Sequence, residues 1–111
     1  SGWFASKILA DMGFNVIQTI FEKLDKYYCE DILSALEKEE KLYPTLTSYF
    51  KKWLIRYTEI NLAEKQRLQC DNKVVYDYKN QQSYRQSVIH FISAMTDKFA
   101  IKIFNEIISF T

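Results

Sequence analysis

Apolar side chains recur along this chain at intervals of three and four, the spacing that gathers them on one face of an α-helix. The first such run extends from Ala5 to about Tyr28. Its apolar positions are Ile8, Leu9, Met12, Val16, Ile17, Ile20, Phe21 and Leu24, while Asp11, Asn15, Gln18, Glu22, Lys23 and Asp25 occupy the other face. Gly13 lies inside the run, where it costs about 1 kcal/mol relative to Ala and marks a kink or a close approach. A second helix, Glu30 to Lys41, opens on acidic residues suited to a positive helix end and carries a narrow stripe of Ile32, Leu33 and Leu36. Its charged tail, Glu37 to Lys41, reads as solvated.

Pro44 cannot continue that helix but fits the first turn of the next, so a third helix is expected to begin at Pro44 or Thr45. Leu46, Tyr49, Phe50, Trp53, Leu54, Tyr57, Ile60 and Asn61 or Ala63 keep its period, which carries it to about Gln66. Between Gln69 and Ser83 the period disappears and turn-prone polar residues dominate, leaving one long connection. Val74, Val75 and Tyr76 form a brief extended piece within it, and the whole is expected to be the least ordered region. Ser83 is then expected to cap a fourth helix with Val88, Ile89, Phe91, Ile92 and Met95 facing inward. Thr96 can cap a fifth, with Asp97 at its positive end and Phe99, Ala100, Ile103, Phe104, Ile107 and Ile108 buried. Without Gly or Pro at 95–97, the pattern leaves open a true break or a bend in one long helix. The expected fold class is therefore all-α: a single helical domain of about five helices, packed orthogonally or as a bundle, with one long polar connection near 69–83.

Composition narrows this further. The chain is 48% hydrophobic with eight Phe, eight Tyr and two Trp, which excludes disorder, and its two Gly and one Pro leave few places to turn. At 111 residues it is long enough to bury a core without metals or disulfides. A formal charge of +1 supplies no global field for nucleic acid or an anionic membrane. Cys29 and Cys70 are far apart and outside any C-x-x-C pair, as expected of free thiols in an intracellular protein. No apolar run approaches the ~20 residues that span a bilayer, and the start does not resemble a secretory signal, so a cytoplasmic protein without membrane contact is expected. Ser1-Gly2 reads as a cloning remnant close to the start of the helical pattern, as if the chain were cut from something longer.

Chemistry-bearing motifs are few. His90 is the only histidine, and no H-E-x-x-H, His-Asp doublet or Gly-rich phosphate loop accompanies it, so this chain alone is expected to hold no metal and to catalyse nothing. Beside the apolar face of the fourth helix, His90 reads as a structural or surface histidine. Glu30-Asp31 and Glu39-Glu40 are adjacent pairs, which point about 100° apart on a helix and do not share a substrate. Aromatics and cations interleave from Tyr49 to Tyr57, but helical spacing sends the rings to one face and most cations to another, which describes a core rather than a nucleic-acid surface. Arg85 stands out. It lies on the polar side of the fourth helix, where a guanidinium can grip a carboxylate or phosphate bidentately, or else pair with the connection or with Asp97.

The run from Val88 to Ala100, with Met95-Thr96-Asp97 at its centre, followed by Ile103-Phe104-Asn105-Glu106-Ile107, resembles the C-terminal signature of the HD-domain dGTPase-like deoxynucleoside triphosphate triphosphohydrolases. Arg85, Phe91-Ile92, Ser93-Ala94, Met95-Thr96-Asp97, Lys98, Phe99 and Ala100 follow that pattern in order. His90 stands where the pattern usually has Asp, and Ala94 where it usually has Gly. The match covers about the last 25 residues, and the helical remainder is compatible with the family's phosphohydrolase-associated region. The resemblance implies a C-terminal accessory domain that packs on an upstream catalytic HD domain, completing a deoxynucleotide pocket or an oligomer contact. Mg or Mn would serve the parent enzyme through a His, His-Asp and Asp set that has no counterpart here. It further implies that Arg85, with Tyr84 beside it, approaches nucleotide, and that Met95, Thr96 and Asp97 hold the joint between the last two helices. The alternative is a free-standing helical module that binds a protein partner through exposed aromatic surface.

Overall fold

Every helix must dispose of the N–H groups of its first turn and the C=O groups of its last, and in this protein those obligations largely decide where helices begin and end. The computed structural model describes residues 15–60 and 74–109. Five helices are present among them: α1 Asn15–Asp25, α2 Ile32–Lys38, α3 Pro44–Tyr57, α4 Gln81–Ser93 and α5 Asp97–Ile108, with no strand among the described residues. The protein is a small all-α globule. α1 packs against α4 and α5, while α3 packs against α2 and α5.

α1 presents Val16, Ile20 and Leu24 at intervals of four, all buried, with Ile17 and Phe21 packed at the margin. The expected extension of this helix back to Ala5, with Ile8, Leu9, Met12 and Gly13, lies outside the described residues. α2 is shorter than its charge pattern suggested. Asp31 caps it by accepting the Ser34 N–H at 3.3 Å, and Ile32 and Leu36 are buried while Leu33 is only partly so. The tail is largely exposed as expected, and two of its carboxylates pair with cations: Glu39 with Lys23 at 3.1 Å and Glu37 with Lys51 at 3.2 Å. Lys23 itself lies 4.2 Å from the centre of the Tyr43 ring.

The start of α3 at Pro44 is as the sequence indicated, yet Tyr43 at the cap position offers no side-chain acceptor. The missing cap comes from α5. Both carboxylate oxygens of Glu106 accept backbone N–H groups, from Thr45 at 3.1 Å and Leu46 at 2.9 Å. Pro44 has no N–H to satisfy, and the Thr47 N–H reaches the Tyr43 carbonyl at 3.0 Å, so the whole first turn is accounted for. The far end is earlier than expected. α3 stops at Tyr57, where Thr58 turns extended and its hydroxyl donates to the Leu54 carbonyl at 2.6 Å while accepting the Ile60 N–H at 3.1 Å. The Tyr57 carbonyl accepts the N–H groups of Val75 at 2.9 Å and Tyr76 at 3.1 Å, so the 74–76 segment supplies its partners. Residues 61–66, to which the period pointed, lie outside the described residues.

Of the long connection, 74–80 is described and Val74–Asp77 has no regular secondary structure, while 69–73 and Cys70 lie outside the described residues. α4 begins two residues before the expected cap. Asn80, not Ser83, occupies the cap position and accepts the Ser83 N–H at 2.9 Å, leaving the Ser83 hydroxyl to accept the Asp77 N–H at 2.9 Å. Asn is as good a cap as Ser, so cap chemistry alone does not favour Ser83 over Asn80.

The centre of the core is aromatic. Phe50 of α3 meets Tyr84 and Phe91 of α4 with ring centroids 6.0 and 5.1 Å apart. Tyr84, Ser87, Val88, Phe91 and Ile92 form the buried face of α4. Ile89, expected there, is instead 49% exposed, and Ile108 at the end of α5 is 45% exposed. Tyr49 of α3 is 50% exposed but lies against Phe99, centroids 4.9 Å apart, whereas Ile55, outside the expected stripe, is buried.

Replacing Glu106→Ala should remove the side-chain cap of the α3 N-terminus and destabilise the protein by about 1–2 kcal/mol, with Glu106→Gln losing less. Urea denaturation of the two variants measures this, and equal midpoints for Glu106→Ala and the parent chain would show that water replaces the cap at no cost.

Candidate functional site

The residues to which the resemblance assigns a role lie on α4 and the joint after it. Tyr84 and Arg85 are neighbours on the first two turns of α4, and on a helix neighbours diverge by about 100°. Tyr84 turns inward. It is fully buried, its ring contacts Tyr28 at 5.1 Å between centroids, and its hydroxyl donates to the Leu24 carbonyl at 2.5 Å. Arg85 turns outward and makes a two-pronged pair with the Asp25 carboxylate, Nε to Oδ1 at 3.0 Å and Nη2 to Oδ2 at 3.1 Å. The guanidinium thus grips a carboxylate bidentately, as its chemistry allows, but the partner is Asp25 at the end of α1 rather than Asp97 or a residue of the connection. Tyr28 completes this corner by donating its hydroxyl to the Lys79 carbonyl at 2.6 Å, fastening the approach to α4 onto the end of α1.

Asp25 was not singled out in the sequence, although a signal was present. A carboxylate at the C-terminal end of a helix faces the negative pole of the backbone dipoles and is unfavourable unless a cation compensates. Arg85 supplies that cation from the start of another helix. The side chain of Arg85 remains 45% exposed, so the pair sits at the surface.

Met95, Thr96 and Asp97 form a true break. Ala94 closes α4, its N–H donating to the His90 carbonyl while the Met95 N–H donates to that of Ile92, and Thr96 turns extended with φ −72° and ψ 160°. The Thr96 hydroxyl then accepts the Phe99 N–H at 3.1 Å, and Asp97 accepts the Lys98 N–H at 2.8 Å at the positive end of α5. Met95 is buried between the two helices. A polar side chain that extends and caps therefore breaks the helix without Gly or Pro.

His90 is exposed on α4, with Nδ1 2.5 Å from the Tyr76 hydroxyl. Tyr76 in turn stacks on Trp53 of α3, whose Nε1–H donates to the buried Ser87 hydroxyl at 2.9 Å. His90 is thereby part of the attachment of the 74–80 segment to α3 and α4. Among the described residues no group of three His, Cys, Asp or Glu side chains is placed to hold a metal ion. No helix among them is long and apolar enough to cross a membrane.

Two phenols have strongly shifted acidity. Burial raises the pKa of Tyr84, and the nearby Asp25 carboxylate raises it further. Tyr27 is likewise raised, first by burial and then by the Glu39 carboxylate, while its hydroxyl has no hydrogen-bond partner among the described residues. Tyr76 is raised by burial and by Tyr57.

The fold is that of a small all-α domain, and the Arg85–Asp25 pair and the Tyr84 and Tyr28 hydroxyls join its own elements. No family model, curated protein or solved structure matches the chain.

Thr96→Ala should cost about 1 kcal/mol through loss of the α5 cap, while Thr96→Ser should restore most of it. Thermal or urea unfolding measures the difference, and indistinguishable Ala and Ser variants would remove the cap from the explanation of the break. A separate expectation concerns pH. Tyr27 and Tyr84 have folded-state pKa values above the ordinary tyrosine value near 10, so the unfolded chain gives up those protons first. Their contribution is complete below pH 10 and falls above it, by about 1.4 kcal/mol per pH unit for each phenol. Stability followed from pH 8 to 11.5 should drop steeply past 10, and the drop should be shallower in Tyr84→Phe.

Proposed function

We propose that this chain is a non-catalytic helical accessory domain of a dGTPase-like HD phosphohydrolase. In that enzyme an upstream catalytic domain binds the divalent metal and releases triphosphate from a deoxynucleotide, and this domain buttresses it or an oligomer contact. The observation that carries the reading is the ordered match from Arg85 to Ala100, which falls on one physical unit, α4, the joint and the start of α5. The metal-binding set has no counterpart among these residues, which places the metal on the upstream domain in this reading.

Within that reading Arg85 is the residue that approaches nucleotide, because its guanidinium is half-exposed and already shaped to hold a two-oxygen anion. Any phosphate it gripped would take the place of Asp25. Tyr84 reaches no surface and contributes by fixing the helix that carries Arg85. The reading of a free-standing interaction module has support of its own in the exposed Val74, Val75 and Ile89.

The coding sequence on the 5′ side of Ser1 separates the two readings. An in-frame extension into a His, His-Asp and Asp set supports the accessory domain, and a start codon close to Trp3 overturns it. The isolated domain should also show no turnover of deoxynucleotides with Mn or Mg, and it should self-associate through surface that the larger enzyme covers. A single monomeric species in sedimentation at high concentration would count against such a covered surface.

A further inference from the structure

We draw no further inference here: the strongest candidate, the open groove beside the 74–76 segment, lined by Glu59, Val74, Val75, Tyr76 and Lys79, carries nothing because the structure does not show what covers it.

Discussion

The packing of this domain turns on the burial of one phenol. Tyr84 is too large to remove from the core without leaving a cavity and too polar to enter it without an acceptor. The structure meets both conditions at the end of α1, where the Leu24 carbonyl accepts from the Tyr27 N–H at 3.2 Å and from the Tyr84 hydroxyl at 2.5 Å. A carbonyl has two lone pairs, so neither donor displaces the other. Once that bond is made, α4 has little freedom. Phe50 packs against the Tyr84 ring from α3, Tyr28 packs on it from the turn after α1, and one step along the helix Arg85 is delivered to Asp25. The surface ion pair thus follows from the buried tyrosine, since the core contact sets the position and the charges occupy what it leaves within reach.

The same economy recurs at the helix ends. α3 has a proline where an N–H would be wasted, a carboxylate from α5 on its next two N–H groups, and the 74–76 segment on its last carbonyl. Glu106 and Thr45 are 61 residues apart, so the start of α3 and the position of α5 are a single decision. Trp53 and Ser87 add a polar link between α3 and α4 inside the apolar layer. Each such link satisfies a group whose isolation from water would otherwise cost about 1–3 kcal/mol. The alternatives are therefore penalised more strongly than the links themselves are rewarded.

Legibility in the sequence divides along this line. Helical period is local, and the helices were readable from it because the spacing of Val16, Ile20 and Leu24, or of Ala100, Ile103 and Ile107, needs no knowledge of the partner. The width of a buried face is not local. Ile89 and Ile108 sit at the edges of their stripes and emerge at the surface, whereas Tyr84 and Ser87 lie outside the expected inward face of α4 because their polar groups disguise positions at its centre. The choice of Arg85 rested on what a guanidinium can do, and it does so here; its partner was missed because Asp25 is 60 residues away. Ser83 was expected as the cap, yet Asn80 fills that role while the Ser83 hydroxyl accepts the Asp77 N–H.

The joint at Met95-Thr96-Asp97 shows how much a motif means when its local physics is known. A helix that must stop, turn and restart within three residues needs an apolar plug, a capping hydroxyl in an extended backbone, and an acid at the new positive end. Met95, Thr96 and Asp97 supply these in that order. Any helical protein needing the same corner would be drawn toward similar residues, so the triplet by itself argues for a shape more than for a lineage. What the corner does not require is a guanidinium ten residues earlier, or Lys98-Phe99-Ala100 directly after the acid. The weight of the proposed kinship therefore rests on the ordered sequence from Arg85 to Ala100 as a whole. Within it, Arg85 already has a structural use in its two-pronged surface pair with Asp25, so an anionic ligand at the proposed site would have to compete for the same two N–H groups.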